Sequence, residues 1–170
     1  MPGFDTYLQI DGIEGESLND KHKNWIELLG VEHSMTQPTS QTRSSAGGGS
    51  TGRTVHADIV IHKYLDKATP KLNEAICTGK HIKKMKIEVC RAGGSQLKFY
   101  EVNLEEVLIS KIELESHSTP GANDAADNLP TERVSLNYGK IEWIYTQQKR
   151  ADGSGGGNVA AKYDLTAGKS

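Results

Sequence analysis

Apolar residues recur at every second position through most of this chain, and few folds satisfy that spacing. Phe4, Thr6, Leu8 and Ile10 alternate with Asp5, Tyr7 and Gln9 before Asp11-Gly12 breaks the run. A second extended stretch runs from Trp25 to Gln37 and ends at Pro38. Val55, Ala57, Ile59 and Ile61 alternate with Thr54, His56, Asp58 and Val60, and Met85, Ile87 and Val89 with Lys84, Lys86, Glu88 and Cys90. Ala92-Gly93-Gly94-Ser95 then reads as a hairpin turn, Gln96 to Asn103 as the partner strand and Val107 to Leu114 as the next one. Val134, Leu136 and Tyr138 bend through Gly139 into Ile141, Trp143 and Tyr145. A period of two puts one face of each segment in a core and the other in water. About eight such strands, with turn signals every eight to twelve residues or so, predict a sandwich or a barrel.

One helix interrupts the pattern. Thr69-Pro70 predicts an N-cap hydroxyl followed by proline at the first helical position, where its missing N–H is not needed. Leu72, Ala75 and Ile76 make one apolar stripe, and Gly79 supplies the left-handed residue that ends it. A single short helix cannot cover a sheet of this size, so it is expected at one side or end of a barrel.

With 170 residues, the chain has the length of one domain and can bury a core without disulfides. Hydrophobic residues make up 35%, and no apolar run approaches the roughly eighteen residues of a membrane-spanning helix. The start lacks the basic and apolar regions of a secretory signal. Cys77 and Cys90 are read as two reduced thiols of a protein made in the cytosol. The histidines at 22, 33, 56, 62, 81 and 117 follow no metal-ligand spacing and are read as scattered surface residues.

Charge is blocky. Residues 62–98 carry nine bases against three acids, and residues 99–130 seven acids against one base. The lysines at 83, 84 and 86 lie in a strand with no aromatic platform beside them, which argues against nucleic acid. Complementary patches that steer copies of the chain together fit better.

The candidate chemical motifs fail on context. Gly47 to Thr54 nearly matches a phosphate loop, but arginine replaces the lysine and a strand follows where a helix N-terminus is required. Asp152-Gly153-Ser154-Gly155-Gly156 has a transposed likeness to a serine-protease nucleophile segment, with no histidine or acid nominated to complete a triad. Glu105-Glu106 and Glu113 with Glu115 are read as solvated carboxylates. No catalytic residue, cofactor or metal is assigned.

Several runs together resemble the Hcp family, the haemolysin-coregulated tube protein of bacterial type VI secretion. They are YLQIDGIEGES (7–17), HKNWIELLGVEHSMTQP (22–38), IHKYLDKATPKLNEAICTGKHIKKMKIEVCRAGG (61–94), YEVNLEEVLISKIEL (100–114) and ERVSLNYGKIEWIYTQQ (132–148). The third run includes Asp66-Lys67 and Gly79-Lys80-His81. The segments 120–130 and 150–158 match the family least.

The resemblance implies one Hcp-like domain over residues 1–170: a compact β-barrel or two-sheet sandwich with one short helix packed on its side. It implies a homohexameric ring, rings stacked into an inner tube, a spike protein at the tip, a contractile sheath outside and secreted effectors in the lumen. Such proteins start in the cytoplasm and leave through the type VI machine, without membrane insertion, nucleic acid, cofactor or enzymatic activity. The glycine-rich loop 38–53 is the expected ring-stacking contact, through Arg43, Ser44, Ser45, Gly47, Gly48, Gly49, Ser50 and Arg53. Glu32 and Ser34, polar on a shared strand face, are the expected lumen contacts. The segment 150–170 is expected to be partly mobile. The alternative is a monomeric secreted binding module or effector with a β-sandwich fold.

Overall fold

The alternating runs do form strands, but several of the expected boundaries move. The structure is a computed structural model that describes residues 3–40, 52–117, 129–149 and 155–170. Its strands are β1 (Phe4–Ile10), β2 (Ile26–Leu28), β3 (Gly30–Glu32), β4 (Met35–Thr36), β5 (Val55–His56) and β6 (Ile59–Tyr64). After the helix α1 (Thr69–Thr78) come β7 (Ile82–Arg91), β8 (Lys98–Glu115), β9 (Thr131–Asn137), β10 (Lys140–Gln148) and β11 (Gly155–Asp164).

The main sheet is antiparallel in the order β2-β1-β7-β8-β9-β6-β3. β10 and β9 follow one another along β8, Lys140 facing Glu105 and Asn137 facing Leu108. Between them, Tyr138-Gly139 lies opposite Glu106, whose φ is 55°. β8 is therefore a single 18-residue strand where the sequence reads as two. The turn expected between them shrinks to that kink, because the Gly139 N–H donates to the carbonyls of Glu105 and Glu106 at 3.0 and 3.1 Å.

The two ends of the strand order, β2 and β3, are consecutive in the chain and separated only by Leu29. The Leu29 N–H donates to the His62 carbonyl at 2.7 Å. No unbroken ladder closes a barrel. Instead, segment 26–32 runs beside β1 at its start and beside β6 at its end, and the sheet wraps around to meet itself.

Inward-facing aliphatic side chains fill the space it encloses. Leu8, Ile26, Ile61, Leu104, Val134 and Leu136 are fully buried, and each contributes about 1.5–3 kcal/mol relative to exposure. Leu72 and Ala75 of α1 pack on this core as expected. Gly79 ends the helix at φ 62°, and the Lys80 N–H reaches the Ala75 carbonyl at 3.0 Å.

The expected N-cap is off by one residue. Thr69 is already helical and Ala68 occupies the cap without a side-chain bond. Asp66 does the capping: its Oδ1 accepts the Ala68 N–H at 2.9 Å, while Thr69 Oγ1 accepts the Asp66 N–H at 3.1 Å. This is the reciprocal logic of a capping box.

The stretch expected as one strand over 25–37 is three short strands, and the one over 54–61 breaks between β5 and β6. β4 and β5 pair only with each other, as a ribbon at the base of the 38–53 loop. The C-terminal segment, expected to be partly mobile, contains β11, which pairs with β10 from Lys140↔Asp164 to Gln148↔Gly155. Glycines hid it. A glycine lowers strand propensity, but an edge strand with a long partner tolerates it.

Residues 14–25 lie over the outer face of β1 and β7. Their turns are tied by Gly15 N–H to Asn24 O (2.8 Å) and Ser17 N–H to Trp25 O (3.0 Å). Gly15 is required there by contact: a Cβ would stand 2.5 Å from the Trp25 carbonyl oxygen.

Candidate functional site

The sheet formed by β3, β6, β9 and the second half of β8 has one apolar and one polar face. In register, Val31, Ile61, Val134 and Ile112 form a row toward the core side. The neighbouring rows, Glu32-Val60-Ser135-Lys111 and Gly30-His62-Arg133-Glu113, point the other way. Period two alone dictates this division.

Glu32 sits at the edge of that polar wall with its side chain 62% exposed. Its carboxylate lies 3.4 Å from Arg133 Nη2 and 3.5 Å from His62 Nε2. Farther along, Lys111 Nζ reaches Glu113 at 2.9 Å, and the hydrogen bond and charge of that lysine hold the Glu113 carboxyl below the usual range. Asp58 accepts from Ser110 Oγ (2.6 Å) and Asn137 Nδ2 (2.9 Å). Positive and negative groups alternate along the wall, so it presents a charge-balanced surface. Exposed pairs of this kind are screened by water and contribute little to stability.

Ser34 is exposed like Glu32, but it lies beyond the end of the strand. β3 ends at Glu32, and Ser34 lies in the connection to β4, its carbonyl accepting the Ala57 N–H at 3.0 Å. Between the two, His33 turns toward the buried Tyr138 and bonds it.

That bond anchors the ribbon beneath the long loop. Tyr138 Oη lies 2.7 Å from His33 Nε2 and 2.8 Å from His56 Nδ1, so one buried hydroxyl ties β4 and β5 to the wrapped sheet. Burial pushes the Tyr138 phenol up to about 12, with the Asp58 charge adding to it. Burial, then the neighbouring His56, lowers the His33 imidazole. Above the ribbon, Gln37 accepts from Thr54 Oγ1 at 2.6 Å and donates to the Gly52 carbonyl at 2.6 Å. Arg53 is exposed at this base. Arg43, Ser44, Ser45, Gly47, Gly48, Gly49 and Ser50 lie outside the described residues.

Two buried polar clusters escaped the sequence reading. Lys63 points inward after Ile59 and Ile61, where it meets Glu132 (2.5 Å), Asp66 (2.9 Å) and Thr69 Oγ1 (3.3 Å). The signal was present: a lysine at the next inward position of a strand, and a glutamate preceding Val134 and Leu136 at the same spacing. On the outer face of β7 and β8, Lys98 lies between Glu101 (2.8 Å) and Glu88 (3.6 Å). Burial raises the Glu101 carboxyl, but the Lys98 and Lys86 ammonium groups outweigh it and hold Glu101 low.

No nucleophile emerges from the cysteines. Burial and the Glu88 charge push the Cys90 thiol up to about 11, and Cys77 is exposed on α1.

The whole arrangement, wall, ribbon and capped helix, falls within residues matched by one family profile, described as "Type VI secretion system effector, Hcp", over residues 7–145. The chain belongs to the Hcp family. Within it, the chain is 33% identical over 162 residues to Protein hcp1 of Pseudomonas aeruginosa, covering 95% of this chain and 94% of that one. It is 30% identical over 133 residues to the Major exported protein of the same organism, covering 77% and 74%. Among solved structures, it superposes with a TM-score of 0.87 on one described as a type six secretion system protein, at 28% identity, covering 98% and 99% of the two chains. Hcp1 from Salmonella typhimurium gives a TM-score of 0.75 at 27% identity, with 99% of both chains covered. This Hcp protein is thus a mainly β protein of the type VI secretion system. Among the described residues, no helix is long and apolar enough to cross a membrane.

Proposed function

We propose that this Hcp protein is a structural subunit of the type VI inner tube, working as a ring of six copies that stack end to end. The correspondence with a solved type six secretion system protein over nearly the full length of both chains carries this reading. The polar wall supports a lumen-facing role for Glu32, with His62 and Arg133 beside it. A charge-balanced surface hydrates well and holds varied secreted effectors loosely, which suits carriage and release. The ribbon anchored by Tyr138 gives loop 38–53 a fixed base from which to contact the next ring.

Ring closure needs a head-to-tail interface between unlike patches. An open groove of about 1090 Å³ offers one polar face for such contact, lined by Lys23, Lys67, Lys71, Lys84 and Lys86 together with Asp11, Glu14, Glu105 and Glu142. On this reading the protein acts by assembly and is no enzyme; its partners are further copies of itself, the spike, the sheath and effectors. It is made in the cytoplasm and leaves on firing.

Negative-stain microscopy with light scattering tests the reading. Six-membered rings are expected, and deleting residues 44–50 is expected to abolish stacking while leaving rings intact. A strict monomer at high concentration would overturn the assembly.

A further inference from the structure

His22 is buried over the outer face of β1 and β7, and its ring is held on three sides. It stacks on Tyr7 with centroids 4.1 Å apart and planes 3° from parallel, and meets Trp25 edge-on at 4.8 Å. Behind it, Nδ1 lies 3.0 Å from Asn19 Oδ1. That amide cannot be flipped: Oδ1 also accepts the Lys21 N–H at 3.0 Å, and Nδ2 donates to Gln96. An acceptor therefore faces Nδ1, and the ring proton belongs there.

The other nitrogen, Nε2, faces β7. Glu88 Oε2 lies 2.6 Å away and Cys90 Sγ 3.8 Å away. A neutral imidazole has one N–H, already given to Asn19, so the Nε2 lone pair meets a carboxylate oxygen. Something positive must stand between them. A second ring proton would meet that need as an imidazolium–carboxylate pair; a divalent ion would meet it too and would also engage the sulfur, since nitrogen, oxygen and sulfur all lie within 4.8 Å of one another.

We propose that His22, Glu88 and Cys90 form a structural site for a borderline divalent metal ion of the zinc class. The donor set is the mixed nitrogen, oxygen and sulfur type that such ions take. Tetrahedral bonds of about 2.0 Å to nitrogen and 2.3 Å to sulfur place those atoms about 3.6 Å apart, close to the spacing here. The Nε2–Oε2 edge opens to about 3.4 Å by rotation of the Glu88 carboxylate. Asn19 behind Nδ1 is the outer partner that orients a ligating histidine. Glu88 and Cys90, two apart on one strand, share a face, and the irregularity between Val89 and Cys90 re-aims the thiol. On binding, the ion replaces the thiol proton, which leaves to solvent. The two anionic ligands then balance the ion, and Lys98 stays neutralised by Glu101. The ion clamps the 14–25 segment to β7, and with three protein ligands its fourth position falls to a water.

The test is to unfold the full chain in chelator, refold it with cobalt(II) and record the absorption spectrum. One equivalent per chain is expected, with a thiolate-to-cobalt charge-transfer band and tetrahedral visible bands. The charge-transfer band is expected to vanish in both Cys90→Ser and Cys90→Ala and to persist in Cys77→Ser. Wild type grown with zinc is expected to carry one zinc per chain and to melt higher than chelator-treated protein. Refolded wild type without a thiolate band, or a band that survives loss of Cys90, overturns the site. So does zinc-grown protein free of zinc.

Discussion

The ammonium of Lys63 lies 2.5 Å from a carboxylate oxygen of Glu132, and neither side chain reaches solvent. Thr69 Oγ1 donates to the same carboxylate at 2.8 Å, so the pair ties the first turn of α1 to β6 and β9. Removing one partner strands a buried charge. Lys63→Met is therefore expected to lose about 3–5 kcal/mol in denaturant unfolding. Lys63→Met combined with Glu132→Leu is expected to recover most of that loss. A single variant within about 1 kcal/mol of wild type would show that water enters the cluster and screens it.

Gly15 is closed to a side chain by backbone atoms, 2.5 Å from the Trp25 carbonyl and 2.6 Å from Ile26 Cα. Neither neighbour can rotate away. Gly15→Ala is expected to cost about 1–3 kcal/mol as overpacking. Gly12→Ala meets no atom within 4 Å, but its φ of 84° strains an L-residue by about 1–2 kcal/mol. Thermal melts of the two variants by circular dichroism separate the causes: a larger loss at Gly12 than at Gly15 contradicts this account.

His33 faces Tyr138 and His56, with Tyr163 stacked on His56 and Asp58 near the phenol. Its imidazole is lowered from 6.5 by burial and by His56. The unfolded chain therefore binds this proton first, and stability falls as pH drops below 6.5 toward the folded value; above 6.5 the group contributes no slope. Melting across this window is expected to show a decline that His33→Gln reduces. Parallel pH curves for the two proteins would remove His33 as the cause.

Glu32 pairs with Arg133 and His62 at the surface, where ion pairs contribute little. Glu32→Gln is expected to leave the denaturation midpoint within about 0.5 kcal/mol of wild type while changing the amount of co-expressed effector retained by purified rings. A stability loss well above that, or unchanged retention of every effector tried, would remove Glu32 from cargo contact.

Period two made the sheet legible, because a strand with one wet face must alternate. It carried β1, β6, β7, β9 and β10, while the stripe of Leu72, Ala75 and Ile76 carried the helix. The misplaced boundaries have one common cause. At Leu29 and Glu106 the chain changes partner or kinks without a run of turn residues, and hydropathy does not register a change of partner. β11 was hidden by glycines whose pairing comes from β10. The polar clusters were hidden because lysine, glutamate and histidine default to the surface when each is read singly. Lys63 with Glu132, and His22 with Glu88, are 69 and 66 residues apart in sequence. Only the register of the sheet makes them neighbours. The polar wall around Glu32 was half legible: alternation identified the face, whereas its partners His62 and Arg133 come from other strands.

The crossing at Leu29 gives the molecule a mechanical character. An ordinary open sheet can be peeled from its outermost strand, one hydrogen bond at a time. Here the first and last strands of the order are joined through a single peptide unit on each side of Leu29. Tension that begins to lift β2 from β1 is passed covalently to β3 and its pairing with β6. Rupture there requires two ladders to slide together, which is loading in shear, where many bonds resist at once.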